Sequence, residues 1–366
     1  MKSISLIALS FCMASSLFAQ EFPFNKEQWQ INANGYVLEP FEGKQSLYLY
    51  QGRAILKDVE FFTGILEYDI YVTERRGFPG LQFRTQDAGN AEEFYIRPHQ
   101  TGNPDANQYT PVYNGLSGWQ LYHGQGYAGV IDYKMNAWNH IKLVVAETSA
   151  EVYINDMETP LFYIPQLKHD PKPGGLRFQG GGPSPFHFAD LKVTKQTNPV
   201  LKSEPFRFKP LTDNVIKTWA VSNAFAESSL EKSYELTRTQ KAGLKWQNVA
   251  VEEKGQANLG QVTGTSQQAN TVFARIIIES DKKQVKQLVY GYSDRARVFL
   301  NDKILAGGQN QFRSRDYRYL GTIGYFDAVY LNLKKGTNEL WIAVSEDFGG
   351  WGIMAQFEDM EGIQLK

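Results

Sequence analysis

Short segments in which apolar and polar residues alternate limit the fold of this chain more than any other feature. From Leu66 to Val72 every second residue is apolar, whereas Glu67, Asp69 and Tyr71 stand at the intervening positions. A period of two places these two sets on opposite faces of a β-strand. Between residues 20 and 193, no segment keeps helical spacing over three turns.

Similar alternating or β-branched segments recur along the chain, at 81–86, 93–99, 140–146, 151–154, 175–178, 186–193, 272–278, 286–292, 296–300, 330–333 and 339–344. Aromatic residues make up 14% of the chain and it contains 32 glycines, which favours many short strands joined by tight turns. We therefore predict an all-β protein built from antiparallel two-sheet sandwiches.

Size and charge narrow the choice of partners. A length of 366 residues favours two domains, and 42% hydrophobic with 21% charged residues is typical of an ordinary globular protein. The formal net charge is -1, so no basic excess exists to neutralise phosphates. Nucleic acid and anionic membrane surfaces are therefore not expected partners.

The first residues predict an export signal. Lys2 supplies a positive start, an apolar run follows from Ile4 to Ala14, and cleavage is expected after Ala19. The apolar run is too short to span a bilayer, so no membrane span is expected after signal removal. The predicted location is periplasmic or extracellular. Cys12, the only cysteine, lies inside this segment, which excludes disulfides, cysteine zinc sites and thiol catalysis in the mature chain.

The predicted organisation is a signal peptide at 1–19, a first β-sandwich at 20–195, a linker at 196–210 and a second β-sandwich at 211–366. The linker is predicted because residues 194–210 lose the alternation and contain three prolines. Residues 227–232 form the one stretch that favours a helix. Each predicted sandwich has a strand that ends in Asn-Asp, at 155–156 and 301–302, which we attribute to shared hairpin chemistry rather than to duplication.

Two sets of motifs resemble known families. The first set is WNHIKLVV at 138–145, EVYIND at 151–156, GGLRF at 174–178 and FADLKV at 188–193. In this order it resembles the concanavalin A-like lectin/glucanase sandwich, including its laminin G-like branch. The second set is SD at 293–294, RVFLN at 297–301, LKKGTNEL at 333–340 and GWG at 350–352, and it resembles the galactose-binding-like jelly roll. These resemblances imply two sugar-binding-type sandwich folds and say little about activity.

The densest group of aromatic, amide and basic side chains lies between residues 92 and 129. Flat rings beside amide and guanidinium donors suit a ligand covered in hydroxyl groups, such as a sugar, and they also suit a well-ordered loop without a ligand. Strand parity puts residues 93, 95, 97 and 99 on one face and predicts a long loop from Gln100 to Gly118. The predicted ligand-binding residues are Arg84, Tyr95, Arg97, His99, Gln108, Tyr109, Tyr113, Trp119, Tyr122 and His123.

Candidate catalytic residues are Glu67, Asp69, Glu93 and His99, and none of them completes a motif. Glu67 and Asp69 share a strand face about 7 Å apart, whereas retaining glycosidases place two carboxylates about 5 Å apart. By resemblance, sandwich-fold glucanases carry three acids as E-x-D-x-E or E-x-D-x-x-E, and here a Tyr or Val fills the third position. The alternative interpretation is a solvated strand face that carries acids.

A lyase is the second catalytic hypothesis. Some sandwich-fold polysaccharide lyases use Arg to neutralise a uronate carboxylate and His or Tyr to remove the neighbouring proton. Arg97 and His99 fit these roles, with Tyr109 or Tyr113 supplying a phenol. The alternative interpretation is that Arg97 pairs with an acid at 92, 93 or 105 and holds the loop in place.

No cofactor is expected. A structural calcium would find oxygen ligands in Asp87, Asn90, Asp105 and Asn107, although the neighbouring Gly and Pro residues favour turns there. In the second predicted sandwich, possible sugar-binding loop residues are Asp294, Arg297, Asp347 and Trp351, for which turn formation and docking are the alternative.

Taken together, these features predict an exported carbohydrate-binding protein with two sugar-binding-type sandwiches and no complete catalytic motif. The first alternative is a glycan-degrading enzyme, a glycoside hydrolase or a polysaccharide lyase, with its active site on the first sandwich. The second alternative is an envelope protein-interaction module, because laminin G-like sandwiches also bind proteins. The expected partner is an oligo- or polysaccharide, and the sequence predicts no oligomeric state.

Overall fold

A computed structural model describes residues 19–315 and 320–366. All of the predicted signal peptide except Ala19 lies outside the described residues. The structure confirms the all-β fold class, with two antiparallel sandwiches in tandem. Regular helix is limited to the 3-10 turns Pro98–Gln100, Glu227–Leu230 and Leu259–Gln261 and the helix α1 (Arg238–Lys241) among the described residues.

The strands of the first sandwich are β1 (Ala19–Phe22), β2 (Trp29–Phe41), β3 (Lys44–Leu56), β4 (Gly64–Val72), β5 (Gly80–Thr85), β6 (Ala91–Ile96), β7 (Asn107–Tyr113), β8 (Leu116–Ser117), β9 (Ala137–Val145), β10 (Ala150–Ile154), β11 (Phe162–Ile164), β12 (Gly175–Gly180) and β13 (Phe186–Lys195). They pair in the order β11-β10-β9-β4-β13-β3-β12-β5-β6-β7-β8, with β1 on β13 and β2 on β3. Residues from both ends of this order share one core, so the sheet curls into two layers.

The long strand β3 links the two layers of the first sandwich. Its first half pairs with β13, at Leu49↔Phe186, and its second half pairs with β12 from Gly52 onward. Gly52 has φ 157°, and a Cβ there would stand 2.3 Å from the backbone of Ala33 in β2. Only glycine allows this close approach where the strand changes partners.

The strands of the second sandwich are β14 (Thr218–Ser222), β15 (Trp246–Ala250), β16 (Ala257–Asn258), β17 (Thr271–Ser280), β18 (Gln284–Ser293), β19 (Arg295–Leu300), β20 (Lys303–Gln309), β21 (Asp327–Leu333), β22 (Gly336–Ser345), β23 (Gly352–Phe357) and β24 (Ile363–Leu365). One sheet has the order β15-β14-β17-β22-β19-β20, with β24 on β17, and the other has the order β16-β23-β18-β21. Trp219 from the first sheet and Trp351 beside the second are fully buried in the core between them.

The two Asn-Asp turns share more than their dipeptide. Asn155 and Asn301 both have positive φ, and their side-chain amides donate to Asn139 and Asn338, respectively, at 2.9 Å. In the first sandwich this partner precedes the turn in sequence, whereas in the second it follows the turn. The reversed order agrees with shared hairpin chemistry and not with a tandem duplication.

Two sequence predictions about connections need correction. The predicted loop from Gln100 to Gly118 is wrong, because β7 and β8 occupy much of it and extend the sheet beyond β6. Residues 196–217, which include the predicted linker, contain no helix or strand. They lie against the first sandwich, where the rings of Phe206 and Phe208 pack on Tyr163 and Tyr127 with centres 5.9 and 6.1 Å apart.

Candidate functional site

The floor of the candidate site is the outer face of the sheet around β6, with Glu93 and Tyr95 from β6, Gln108 from β7 and Gln179 from β12. Both neighbours of Tyr95 are fully buried in the core, so Tyr95 and Glu93 point away from it, as strand parity predicts. Glu93 accepts hydrogen bonds from Gln82 Nε2 at 2.8 Å and from Ser117 Oγ at 3.1 Å. Burial raises the pKa of Glu93, which favours the protonated carboxyl.

Arg97 lies beside this floor and is held by three neutral acceptors. Its Nη1 donates to the backbone carbonyl of Asp105 at 2.8 Å, and its Nη2 donates to Tyr95 Oη at 2.5 Å and to Gln108 Oε1. The guanidinium lies 4.8 Å from the ring centre of Tyr95 and 5.9 Å from that of Trp119. Arg97 therefore holds the loop at residue 105, but through a carbonyl and not through the ion pair considered from the sequence.

His99 stands in the 3-10 turn Pro98–Gln100 that follows β6. Its ring packs edge-on against Phe78 with centres 5.5 Å apart, and its buried Nδ1 has no hydrogen-bond partner among the described residues. Burial, and then the charges of Arg76 and Arg97, lower the pKa of His99. The imidazole is therefore neutral near pH 7.

Aromatic rings from both sandwiches form the walls of the site. Trp119, which follows β8, has its ring centre 6.1 Å from Phe312 and 5.9 Å from Phe348. Phe312 lies in the loop after β20 and Phe348 in the loop after β22, and Phe348 is 62% exposed. These walls and the polar floor enclose a cleft of about 820 Å³ between the two sandwiches.

Two buried carboxyl groups support the loop that carries Phe348. Asp294 Oδ2 accepts from the backbone N–H groups of Asp347 at 2.9 Å and Phe348 at 3.0 Å, and Glu346 Oε1 accepts from that of Gly350 at 3.0 Å. Burial, and then the nearby Asp294, raise the pKa of Glu346 to about 8. Near neutral pH the pair keeps a proton, so the loop does not have to bury two adjacent negative charges.

A buried ion pair connects Lys168 of the first sandwich with Glu252 and Glu253 of the second. Lys168 Nζ, whose side chain is 4% exposed, lies 2.5 Å from Glu253 Oε1 and 3.1 Å from Glu252 Oε2. Tyr122 donates to Glu252 at 2.6 Å and Tyr127 donates to Glu253 at 2.5 Å. Burial raises the pKa of Glu252, and the charge of Lys168 opposes that rise.

A second set of docking contacts lies next to the cleft. The backbone N–H of Gln120 donates to Gly349 O at 2.8 Å, and Ser293 Oγ donates to Gln120 Oε1 at 2.8 Å. Ile323 N donates to Gln120 O at 3.0 Å, and His123 Nε2 lies 3.3 Å from Ile323 O. The shape of the cleft therefore depends on the docking of the two sandwiches.

Six of the predicted ligand-binding residues line the cleft, namely Tyr95, Arg97, His99, Gln108, Trp119 and His123. The catalytic candidate Glu93 lines it as well. The other four predicted residues, Arg84, Tyr109, Tyr113 and Tyr122, are not part of the lining.

Arg84 was predicted as a ligand-binding residue, but its side chain is buried and does not line the cleft. Its backbone has φ 50°, and the pairing of β12 with β5 shifts register opposite this point. The side chain is buried and donates to the backbone carbonyls of Phe62, Ala146 and Glu147 at 2.8, 2.6 and 2.9 Å. The bulge thus interrupts the alternating pattern at Arg84. The Arg84 side chain instead connects β5 to the turn after β9.

The three tyrosines outside the lining each have an internal partner. Tyr109 is fully buried on the core face and donates to Glu92 Oε2 at 2.6 Å, and Tyr113 donates to Lys168 O at 2.7 Å. Tyr122 belongs to the docking contacts between the sandwiches. Neither Tyr109 nor Tyr113 therefore presents the phenol that the lyase hypothesis needs to this cleft.

Glu67 and Asp69 share one face of β4, as predicted, but this face is not part of the cleft. His140 on β9 bridges them, with Nδ1 2.6 Å from Asp69 Oδ1 and Nε2 3.5 Å from Glu67 Oε1. Lys44 contacts Asp69 and lies 2.6 Å from Asp190 Oδ2. Glu67 and Asp69 thus belong to a network of ion pairs on the sheet face. The alternative interpretation of a solvated strand face holds only in part, because the Asp69 side chain is 8% exposed and that of Glu67 is 23% exposed.

The His140 network makes folding stability depend on pH. Hydrogen bonds to Asp69, and then to Glu67, raise the pKa of His140 from 6.5 to about 9. Because the folded pKa is raised, the stabilisation is full below pH 6.5 and is lost as the pH rises through about 9. An NMR titration of His140 should show a midpoint near 9 in the natural chain and a lower one in Asp69→Asn. A midpoint of 6.5 in the natural chain would contradict the network.

The candidates in the second sandwich, Asp294, Arg297, Asp347 and Trp351, do not line the cleft. Trp351 is fully buried and its Nε1 donates to Val344 O at 3.0 Å, whereas Arg297 donates to Leu230 O at 2.5 Å. The residues of this sandwich that line the cleft were not predicted: Phe312, Arg313, Leu320, Thr322 and Phe348. An aromatic residue beside glycines at 348–350 was a signal for one of them, although no sequence pattern placed it opposite Trp119.

No group of three or more His, Cys, Asp or Glu side chains in the described ranges is arranged to hold a metal ion. Asp87, one of the calcium candidates, accepts hydrogen bonds from Gly89 N at 2.7 Å and Asn90 Nδ2 at 3.0 Å, which is a turn. Asn107 bonds instead to the backbone of Gly129. In the part of the chain described here, no helix has the length and hydropathy of a membrane span.

Comparison with known proteins gives matches only at the level of structure, because no family model and no curated protein matches the sequence. The carbohydrate binding module CBM66 from Bacillus subtilis has a TM-score of 0.34 and 14% identity, covering 47% of this chain and 96% of its own. The β-glucanase of Bacillus licheniformis has a TM-score of 0.36 and 13% identity, covering 50% of this chain and 100% of its own.

A Bacillus subtilis protein with a galectin-like fold has a TM-score of 0.37 and 12% identity, covering 50% of this chain and 96% of its own. Similarity at this level assigns no ligand and no reaction to this chain.

Proposed function

We propose that the chain binds an oligo- or polysaccharide in the cleft between its two sandwiches. The observation that carries this proposal is the half-buried ring of Trp119, which stands between Phe312 and Phe348 beside a polar floor. Aromatic rings suit the apolar faces of sugar rings, and the polar groups of the floor suit their hydroxyl groups.

The size of the cleft suits such a ligand. Its volume of about 820 Å³ lies toward the upper end of the range for small-molecule sites. Contacts from both sandwiches would let one glycan touch both modules. If the predicted signal peptide directs export, this binding takes place in the periplasm or outside the cell.

Cleavage of the bound glycan is the second candidate function, because the cleft holds an acid and a base. Burial favours the protonated form of Glu93 and the neutral form of His99. Two titratable groups whose pKa values are shifted in these directions have the protonation states that a general acid and a general base need. The cleft would then degrade what it binds.

Isothermal titration of the full chain against neutral and acidic polysaccharides tests the binding proposal. Heat with at least one glycan is expected, and a uniform absence of heat would rule the proposal out. Release of reducing ends in the same mixtures would show that the protein also hydrolyses the glycan, and absorbance of an unsaturated product would show that it acts as a lyase. In that case Glu93→Gln and His99→Ala should each lose activity, and full activity in both would remove these residues from the mechanism.

A further inference from the structure

Arg97 brings a positive charge into the cleft without an acidic partner. The residue is 7% exposed, and its acceptors are a phenol, a side-chain amide and a backbone carbonyl. No described Asp or Glu forms an ion pair with it. By contrast, Arg295 in the second sandwich pairs with both Glu227 and Asp347. A buried charge without a counter-ion costs free energy, and an anionic ligand would offset that cost.

Arg97 also keeps hydrogen-bonding capacity. A guanidinium has five N–H donors, and the bonds to described residues use three of them. The remaining donors belong to a planar group that lies 4.8 Å from the Tyr95 ring centre and 5.9 Å from that of Trp119. A ring stacked on Trp119 would therefore carry its substituents past Arg97.

Two further arginines line the cleft, one from each sandwich. Arg76 lies 5.8 Å from the ring centre of Phe78, and Arg313 lies 5.0 Å from that of Phe312. Both are exposed, and neither forms an ion pair with a residue in the described ranges. Positive charge is therefore present at the rim as well as beside the floor.

The acidic residues of the lining do not balance these charges. Glu93 is fully buried against neutral donors, and burial favours its uncharged form. Asp105 is the other acidic residue among the described residues of the lining, and its backbone carbonyl oxygen accepts a hydrogen bond from Arg97. His99 adds no negative charge. Among the described residues, the lining thus has three arginines and two acids, and burial favours the uncharged form of one of these acids, Glu93.

We infer that the cleft selects glycans that carry anionic groups, and that Arg97 is the residue that determines this specificity. The anionic group is a sugar carboxylate or a sulfate ester, because the planar fork of arginine binds either in a bidentate way. This inference rests on the proposed function, since it names the ligand class of the same cleft.

The test uses matched ligands and the full chain. Binding of a polyuronate is compared by calorimetry with that of its carboxyl-reduced form, and binding of a sulfated galactan with that of its desulfated form. Each anionic form should bind about 10- to 100-fold more tightly than its neutral partner. The preference should also weaken as salt is added. A preference in only one of the pairs would identify which anionic group the cleft takes.

Arg97→Met should reduce this preference to about that of a neutral site, whereas Arg207→Gln, an exposed arginine outside the lining, should leave it unchanged. If Arg97→Met fails to fold, the double variant Arg76→Gln with Arg313→Gln provides a second test. It should lower both the preference for the anionic glycan over its neutral partner and the salt dependence of that preference. Equal affinity of the natural chain for charged and neutral partners would overturn the inference and leave the proposed function intact. Absence of binding to every glycan would overturn both.

Discussion

Trp119→Ala should weaken glycan binding by about 2 kcal/mol or more, which is roughly thirtyfold in Kd. The ring stands between Phe312 and Phe348, so its loss removes the central stacking surface and opens the space between the sandwiches. The backbone contact from Gln108 Nε2 to Trp119 O does not depend on the side chain and should persist. Calorimetry with whichever glycan binds the natural chain measures the change.

The control for this variant is Tyr234→Ala, which removes an aromatic ring that is 80% exposed and lies outside the cleft. It should leave Kd unchanged. A thermal melt of Trp119→Ala close to that of the natural chain separates lost contact from lost folding. If Trp119→Ala binds as tightly as Tyr234→Ala, the stacking surface is not where the glycan lies, and the proposed site is wrong.

Lys168→Met should lower the free energy of unfolding by about 3–5 kcal/mol, because it leaves carboxyl groups buried between the sandwiches without their cation. Lys168 Nζ contacts both Glu252 and Glu253, and its side chain is 4% exposed. Denaturant unfolding, followed by tryptophan fluorescence, measures the loss. Adding Glu252→Gln and Glu253→Gln to this variant should recover part of it, since the stranded charges are then removed.

Lys172→Met is the matched control, since Lys172 pairs with Asp170 at 3.2 Å and its side chain is 61% exposed. Exposed ion pairs contribute about 0–1 kcal/mol, so little change is expected. A loss in Lys168→Met no larger than in this control would mean that the buried pair does not hold the sandwiches together. Lys168→Met should also weaken glycan binding, because the walls of the cleft belong to different sandwiches.

Period-two patterns predicted strands such as β4 and β6 but not the long strands β2 and β3. They also predicted the face that Glu93 and Tyr95 share, because buried neighbours force alternate side chains outward. The same reasoning failed at Arg84, where a positive φ and a register shift break the alternation. It also assigned residues 107–113 to a loop, although they form the next strand beyond β6. Local patterns do not reveal bulges, since these depend on the partner strand.

By itself the sequence determined the all-β class, the tandem arrangement and the outward face of β6 that carries Glu93 and Tyr95. Those features follow from alternation and turn chemistry, which act between neighbouring residues. Only the tertiary structure decided that Phe312 and Phe348 close the cleft opposite Trp119, and that Tyr122 belongs to the docking contacts. These roles depend on how the two sandwiches pack, and contacts between residues 130 or more positions apart leave no periodic signal in a single chain.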